Sequence, residues 1–189
     1  MPPSTLRFQL RERTASRHAA VDDAVGAFGD MAAYRRYLAG LHAFRAPCEA
    51  AIMASRLPDA GAWAFSPLVS LIEADMADLG VPVPEQAAAV EGAATLEETA
   101  GRLYVLEGSS LGARVLAVEA RALGLDEHFG ARHLVEQARG GPSFRSFATW
   151  LDNAPLNAEA VIDAALATFA DAERAFGTPD STGPADARA

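Results

Sequence analysis

Apolar side chains return every three or four positions along most of the chain, β-branched runs are missing and alanine is abundant, so the pattern predicts an all-α protein. From Thr5 to Val25 one stripe is made by Leu6, Leu10, Thr14, His18, Val21 and Val25, and Gly26 and Gly29 close it. After a cap at Asp30, a second stripe from Met31 to Ala54 carries Tyr34, Leu38, Leu41, Phe44, Cys48 and Ile52. Pro47 lies inside it and is expected to bend or divide the helix, because proline removes a hydrogen bond and crowds the preceding turn. A third helix is expected to open at Ser66-Pro67 and to close at Gly80. Thr95-Leu96-Glu97-Glu98 forms a capping-box pattern at the head of a long segment that ends at Leu123, before Gly124. Unbroken, that segment would reach on the order of 40 Å, the width of a whole domain of this size, so a bend is expected within it. Shorter helices are expected near Ala131 to Arg139 and Ser143 to Asp152, and a last stripe holds Val161, Ile162, Ala165, Leu166, Phe169 and Phe176. Beyond Gly177 the Thr, Pro, Asp, Ser, Gly and Ala composition predicts a disordered tail over 178–189, leaving one helical domain over 1–177.

Composition narrows the chemistry. With 189 residues the chain can bury about 70% of its unfolded surface and hold a pocket without disulfide or structural metal. Its net charge of -9 and lack of any cationic cluster argue against nucleic acid. All 16 basic residues are arginine, so Schiff-base, pyridoxal-phosphate and phosphate-loop chemistries that need a lysine are excluded. Cys48 is the sole cysteine, which excludes internal disulfides, iron–sulfur clusters and covalent haem attachment through paired cysteines. No apolar run is long enough to span a membrane and no signal pattern follows Met1, so a soluble cytoplasmic protein is expected.

Two places invite a functional reading. His18 lies on the first apolar stripe, with Asp22 one turn on and Arg11 two turns back, so its ring is expected to face inward. It is either a buried histidine bonded to a neighbour, or an axial iron ligand whose second ring nitrogen donates to Asp22 directly or through water. In the stretch from Gly101 to Arg114, at about 100° per residue, Gly101, Tyr104, Gly108, Gly112 and Val115 fall within roughly 80° of one another. Each interior glycine costs about 1 kcal/mol relative to alanine, so this bare face needs a reason: a close helix neighbour or a flat ligand against the backbone. Other sites are weak. No histidine has a glutamate three residues before it, as di-iron bundles require, and H-E-x-x-H is absent. His42 reads as partly buried packing, His128 and His133 as surface residues, Cys48 as a small buried side chain, and Glu98 with Arg102 as a solvated helix face.

Together the motifs resemble a known family. Leu10 to Asp22 (L-R-E-R-T-A-S-R-H-A-A-V-D) is similar to the proximal helix of the haem oxygenases, and Gly101 to Arg114 (G-R-L-Y-V-L-E-G-S-S-L-G-A-R) to the distal helix of their bacterial branch. Ala165 to Phe176 is similar to that branch's last helix, so the resemblance covers residues 6 to 177. It implies a helical bundle with haem between a proximal helix and a kinked distal helix. His18 would ligate the iron, Gly108 and Gly112 would let the distal helix lie against the haem, and Tyr104 and Arg11 would face the propionates. Asp22 stands where many members have glutamate. Ser109 occupies the place of an aspartate found in the animal enzymes and absent from bacterial members, and Ser110 and Arg114 are further groups that could hold water. Ala113 departs from members with glycine there. The implied reaction cleaves haem, cofactor and substrate at once, with oxygen to biliverdin, carbon monoxide and ferrous iron. Electrons would come from a ferredoxin or reductase, and a biliverdin-using photoreceptor is a further implied partner.

The same fold could instead serve a non-catalytic haem carrier or sensor, which would keep His18 and the glycine face. A pyrimidine-processing relative would need an activated cysteine, and nothing around Cys48 supplies one. A histidine phosphotransfer module would need an exposed histidine, against the expected burial of His18.

Overall fold

The computed structural model describes residues 5–55, 63–84, 94–139 and 141–177, and among them it contains eight α-helices and no strand. The tail expected over 178–189 lies outside the described residues. Helix α1 spans Leu6–Val25 and stops where Gly26 turns to φ 61° and its N–H returns to the Asp22 carbonyl. Helix α2, Met31–Ala54, begins where the Asp30 carboxylate accepts from the Ala33 N–H. Pro47 does not divide α2. Both Pro47 and Ala43, whose carbonyl loses its helical donor there, are exposed, so water can serve that carbonyl.

Helix α3 is Val69–Asp78 and starts three residues after the Ser66 expected from the sequence. The buried Glu49 carboxylate of α2 explains the shift. It accepts from the Leu68 and Val69 N–H groups at 3.0 and 3.1 Å, acting as the cap, while Arg45 bonds its other oxygen at 2.7 Å. The long segment is two helices, α4 (Leu96–Gly108) and α5 (Ser110–Ala122), separated at Ser109. Thr95 and Glu98 close the capping box, so Glu98 faces the Thr95 N–H instead of pairing with Arg102, which is half-buried. Helices α6 (Arg132–Arg139), α7 (Gly141–Asn153) and α8 (Ala158–Phe176) complete the order.

Two apolar clusters fill the interior. One is built by α1, α4, α7, α8 and part of α2 around Leu10, Leu103, Phe147, Ile162 and Phe169. The other joins α2, α3, α5 and α6 around Tyr34, Leu38, Ile72, Met76 and Leu134. The break at Ser109 therefore falls where the chain passes from one core to the other. His133, expected at the surface, is fully buried: its Nδ1 and backbone N–H reach the Asp75 carboxylate at 2.7 and 3.0 Å, and its Nε2 meets the Tyr37 hydroxyl at 3.3 Å. His42 is buried against Glu73, and His128 is exposed as expected.

Candidate active site

The site begins with helix directions. Asn157 at the start of α8 donates its N–H to Glu97 at the start of α4, and Gly101 abuts Val161, Ala164 and Ala165 one turn further along both. On α1, Arg13 pairs with Glu159 and Arg17 with Glu173. Helices α1 and α4 thus both run along α8 in its own direction. Between them, the Tyr104 phenol has the Thr14 hydroxyl and the Arg11 guanidinium as electrostatic neighbours. Burial pushes the Tyr104 phenol up, with the Thr14 bond and the Arg11 charge pulling the other way. His18 stands one turn on from Thr14 along α1, and Gly108 one turn on from Tyr104 along α4.

His18 does not face the core. Its side chain is 57% exposed, with the ring 5.9 Å from Phe169 on one side and Nδ1 2.9 Å from the Asp22 carboxylate, itself 68% exposed. On α1 only Leu10 and Thr14 are buried. The inward stripe read from the sequence is therefore buried at Leu10 and Thr14 and exposed at His18. Asp22 accepts the Nδ1 proton, which leaves the lone pair on Nε2, where no protein group among the described residues engages it.

The glycine face of α4 and α5 splits in two. A Cβ on Gly101 would lie 2.6 Å from the Ala164 Cβ and 2.8 Å from main-chain atoms of α8, so this glycine serves close helix packing. A Cβ on Gly108 would touch only Phe144, at 4.0 Å, and one on Gly112 would meet nothing within 4 Å. Beside them Leu111, Val115 and Val118 are 60, 62 and 66% exposed, a stripe of large apolar side chains at helical spacing. An uncovered apolar stripe, two open glycines and a histidine with a free ring nitrogen fit a flat apolar ligand with a metal at its centre. Haem is such a group, and these residues fit it.

Most of the other expected residues have partners of their own. Of the four arginines on α1, Arg7, Arg13 and Arg17 pair with Asp152, Glu159 and Glu173, while Arg11 has no ion-pair partner among the described residues. Ser109 stands in the α4–α5 break, and its hydroxyl donates to the Leu106 carbonyl at 2.6 Å. Ser110 is buried and donates to the Glu107 carbonyl at 2.7 Å, and Arg114 reaches the Ala138 carbonyl at 3.3 Å. Sequence reasoning missed Leu111 and Val118, although their spacing from Val115 puts them in the same sector as Tyr104. It also missed Gln137, which bonds Ser109 across 28 positions with no local signal.

This is the fold of the haem oxygenases. A crystal structure of the NO- and CO-bound haem oxygenase from Neisseria meningitidis matches it with a TM-score of 0.70, covering 95% of this chain and 96% of that one at 23% identity. Among curated proteins, the haem oxygenase PigA of Pseudomonas aeruginosa is 51% identical over 88 residues, a stretch spanning 46% of this chain and 44% of that protein. No family model matches the chain.

Proposed function

We propose that this chain, as one helical domain, is a haem oxygenase that opens haem to biliverdin, carbon monoxide and ferrous iron. The observation that supports the reading is the exposed His18 held by Asp22, together with the open Gly108 and Gly112, on the haem oxygenase fold. The oxygen-activating iron and the ring that is opened both belong to haem, the substrate. His18 would hold the iron through Nε2, with Asp22 fixing the orientation of its ring. Gly108 and Gly112 would present backbone to the haem where side chains would take up the space. Leu111, Val115 and Val118 cover the apolar ring edge, and burying them supplies most of the binding energy. Arg11 and Tyr104 orient the propionates at the mouth, Arg11 through a charge-assisted hydrogen bond. Electrons enter from a separate donor such as a ferredoxin or reductase. Supply to a biliverdin-using photoreceptor is a further proposed link. No helix among the described residues is long and apolar enough to cross a membrane, and we place the protein in the cytoplasm.

Titration of the purified protein with hemin tests the binding step. A saturable Soret change with a histidine-ligated spectrum is expected, lost in His18→Ala and partly restored by imidazole. No saturable binding, or an unaltered spectrum in His18→Ala, would overturn the site. Persistence of the haem spectrum under oxygen and ascorbate would instead mark a carrier or sensor.

A further inference from the structure

The break between α4 and α5 is held from outside. Gln137 on α6 donates from Nε2 to the Ser109 Oγ at 2.6 Å, and the Ser109 hydroxyl donates in turn to the Leu106 carbonyl at 2.6 Å. The single hydroxyl proton of Ser109 is committed to that carbonyl, so its oxygen can only accept from Gln137. A serine hydroxyl bonded back to a carbonyl of the preceding turn often bends a helix, and here it sits at the break, where the Gly112 N–H turns to the Ser109 carbonyl at 3.2 Å. Arg114 ties α5 to the same helix through the Ala138 carbonyl. Behind the break lies an open recess of about 170 Å³ bordered by Glu107, Ser110 and Gln137.

We propose that Gln137 is a positioning residue: by latching Ser109 it fixes the α4–α5 break and with it the direction in which the open Gly108 and Gly112 are presented to haem. Ser109, in this arrangement, shapes the backbone and does not donate its proton to the oxygen side. The consequence for catalysis rests on the haem oxygenase reading, whereas the latch itself is a property of the protein without haem. Gln137→Glu is the informative variant, because it keeps size and shape but replaces the donor with an acceptor. The Ser109 hydroxyl then turns to the carboxylate and releases the Leu106 carbonyl.

Hydrogen exchange of the haem-free protein should show the amides of 109–113 exchanging about fivefold faster in Gln137→Glu, the effect of losing one hydrogen bond, while those of α8 stay unchanged. Ser109→Ala should give the same acceleration, and Gln137→Glu should add nothing to it. In the haem-loaded protein Gln137→Glu should alter the ratio of biliverdin isomers while hemin affinity stays within about threefold. Unchanged exchange in Gln137→Glu, or effects that add fully to those of Ser109→Ala, would overturn the latch. An unsubstituted chain that binds or turns over no haem would overturn the oxygenase reading, and the exchange measurements would still decide on the latch.

Discussion

Gly101 and Gly112 sit on the same helical sector of the sequence, yet the structure predicts opposite responses to added side chains. At Gly101 a methyl group would stand 2.6 Å from the Ala164 Cβ and 2.8 Å from the Val161 carbonyl and the Ala165 nitrogen, inside contact distance of main chain that cannot swing away. Alanine gains up to about 1 kcal/mol in helix propensity, but overpacking against backbone costs about 1 to 3 kcal/mol or more, so the net change is destabilising. Gly112 has nothing within 4 Å of its virtual Cβ, so only the propensity gain remains there. For a protein of this size 1 kcal/mol moves the melting temperature by about 2 to 4 °C. Without haem, Gly112→Ala should therefore melt at or up to about 4 °C above the parent, and Gly101→Ala several degrees below it. Gly112→Leu should keep the parent's melting temperature within a few degrees while losing most biliverdin yield, because its side chain occupies the cleft. Thermal melts with and without hemin, paired with a turnover assay, read both effects. Equal melting shifts at the two glycines would refute the division of the face, and full turnover by Gly112→Leu would put the ligand elsewhere.

Arg11→Ala combined with Tyr104→Phe should weaken hemin binding by about tenfold, the scale of one charged hydrogen bond, and yield a more mixed set of biliverdin isomers by chromatography; an identical isomer pattern would mean that other groups seat the propionates. Asp22→Asn should leave folding intact and shift the histidine-ligated spectrum, since the ring loses the carboxylate that fixes its tautomer; an unshifted spectrum would remove Asp22 from the site. Burial holds the His133 imidazole below its ordinary value despite the Asp75 carboxylate beside it. Burial alone would raise the Asp75 carboxyl, but hydrogen bonds from His133 and Arg132 carry it below the usual range. The unfolded chain takes up the His133 proton near pH 6.5 and the folded one resists it, so stability should fall as pH drops from 7 toward 5, with a second loss from Asp75 below about pH 4. Denaturant midpoints that do not move between pH 7.5 and 5 would contradict a neutral buried His133.

The sequence was most legible where structure is local. The Asp30 cap, the Thr95 capping box and the stops at Gly26 and Gly124 lie within a turn of the helices they bound. What could not be read came from distant partners. Glu49, about 20 positions away, delays the start of α3, and Asp75, 58 positions away, buries a histidine set in a polar stretch. The misjudged orientation of His18 has a different origin. Hydrophobic periodicity cannot tell a face turned to the protein core from one left open, and α1 presents both along one stripe. The bare face of α4 and α5 held the same ambiguity: Gly101 packs against α8, while Gly108 and Gly112 border open space.

The central claim is that this chain opens haem rather than merely holding it. Stoichiometric hemin complex, reduced aerobically by ascorbate with catalase present, should lose its Soret band and release about one carbon monoxide and one biliverdin per haem, with His18→Ala releasing neither. A Soret band that persists, with no carbon monoxide evolved from the unsubstituted protein, would contradict it.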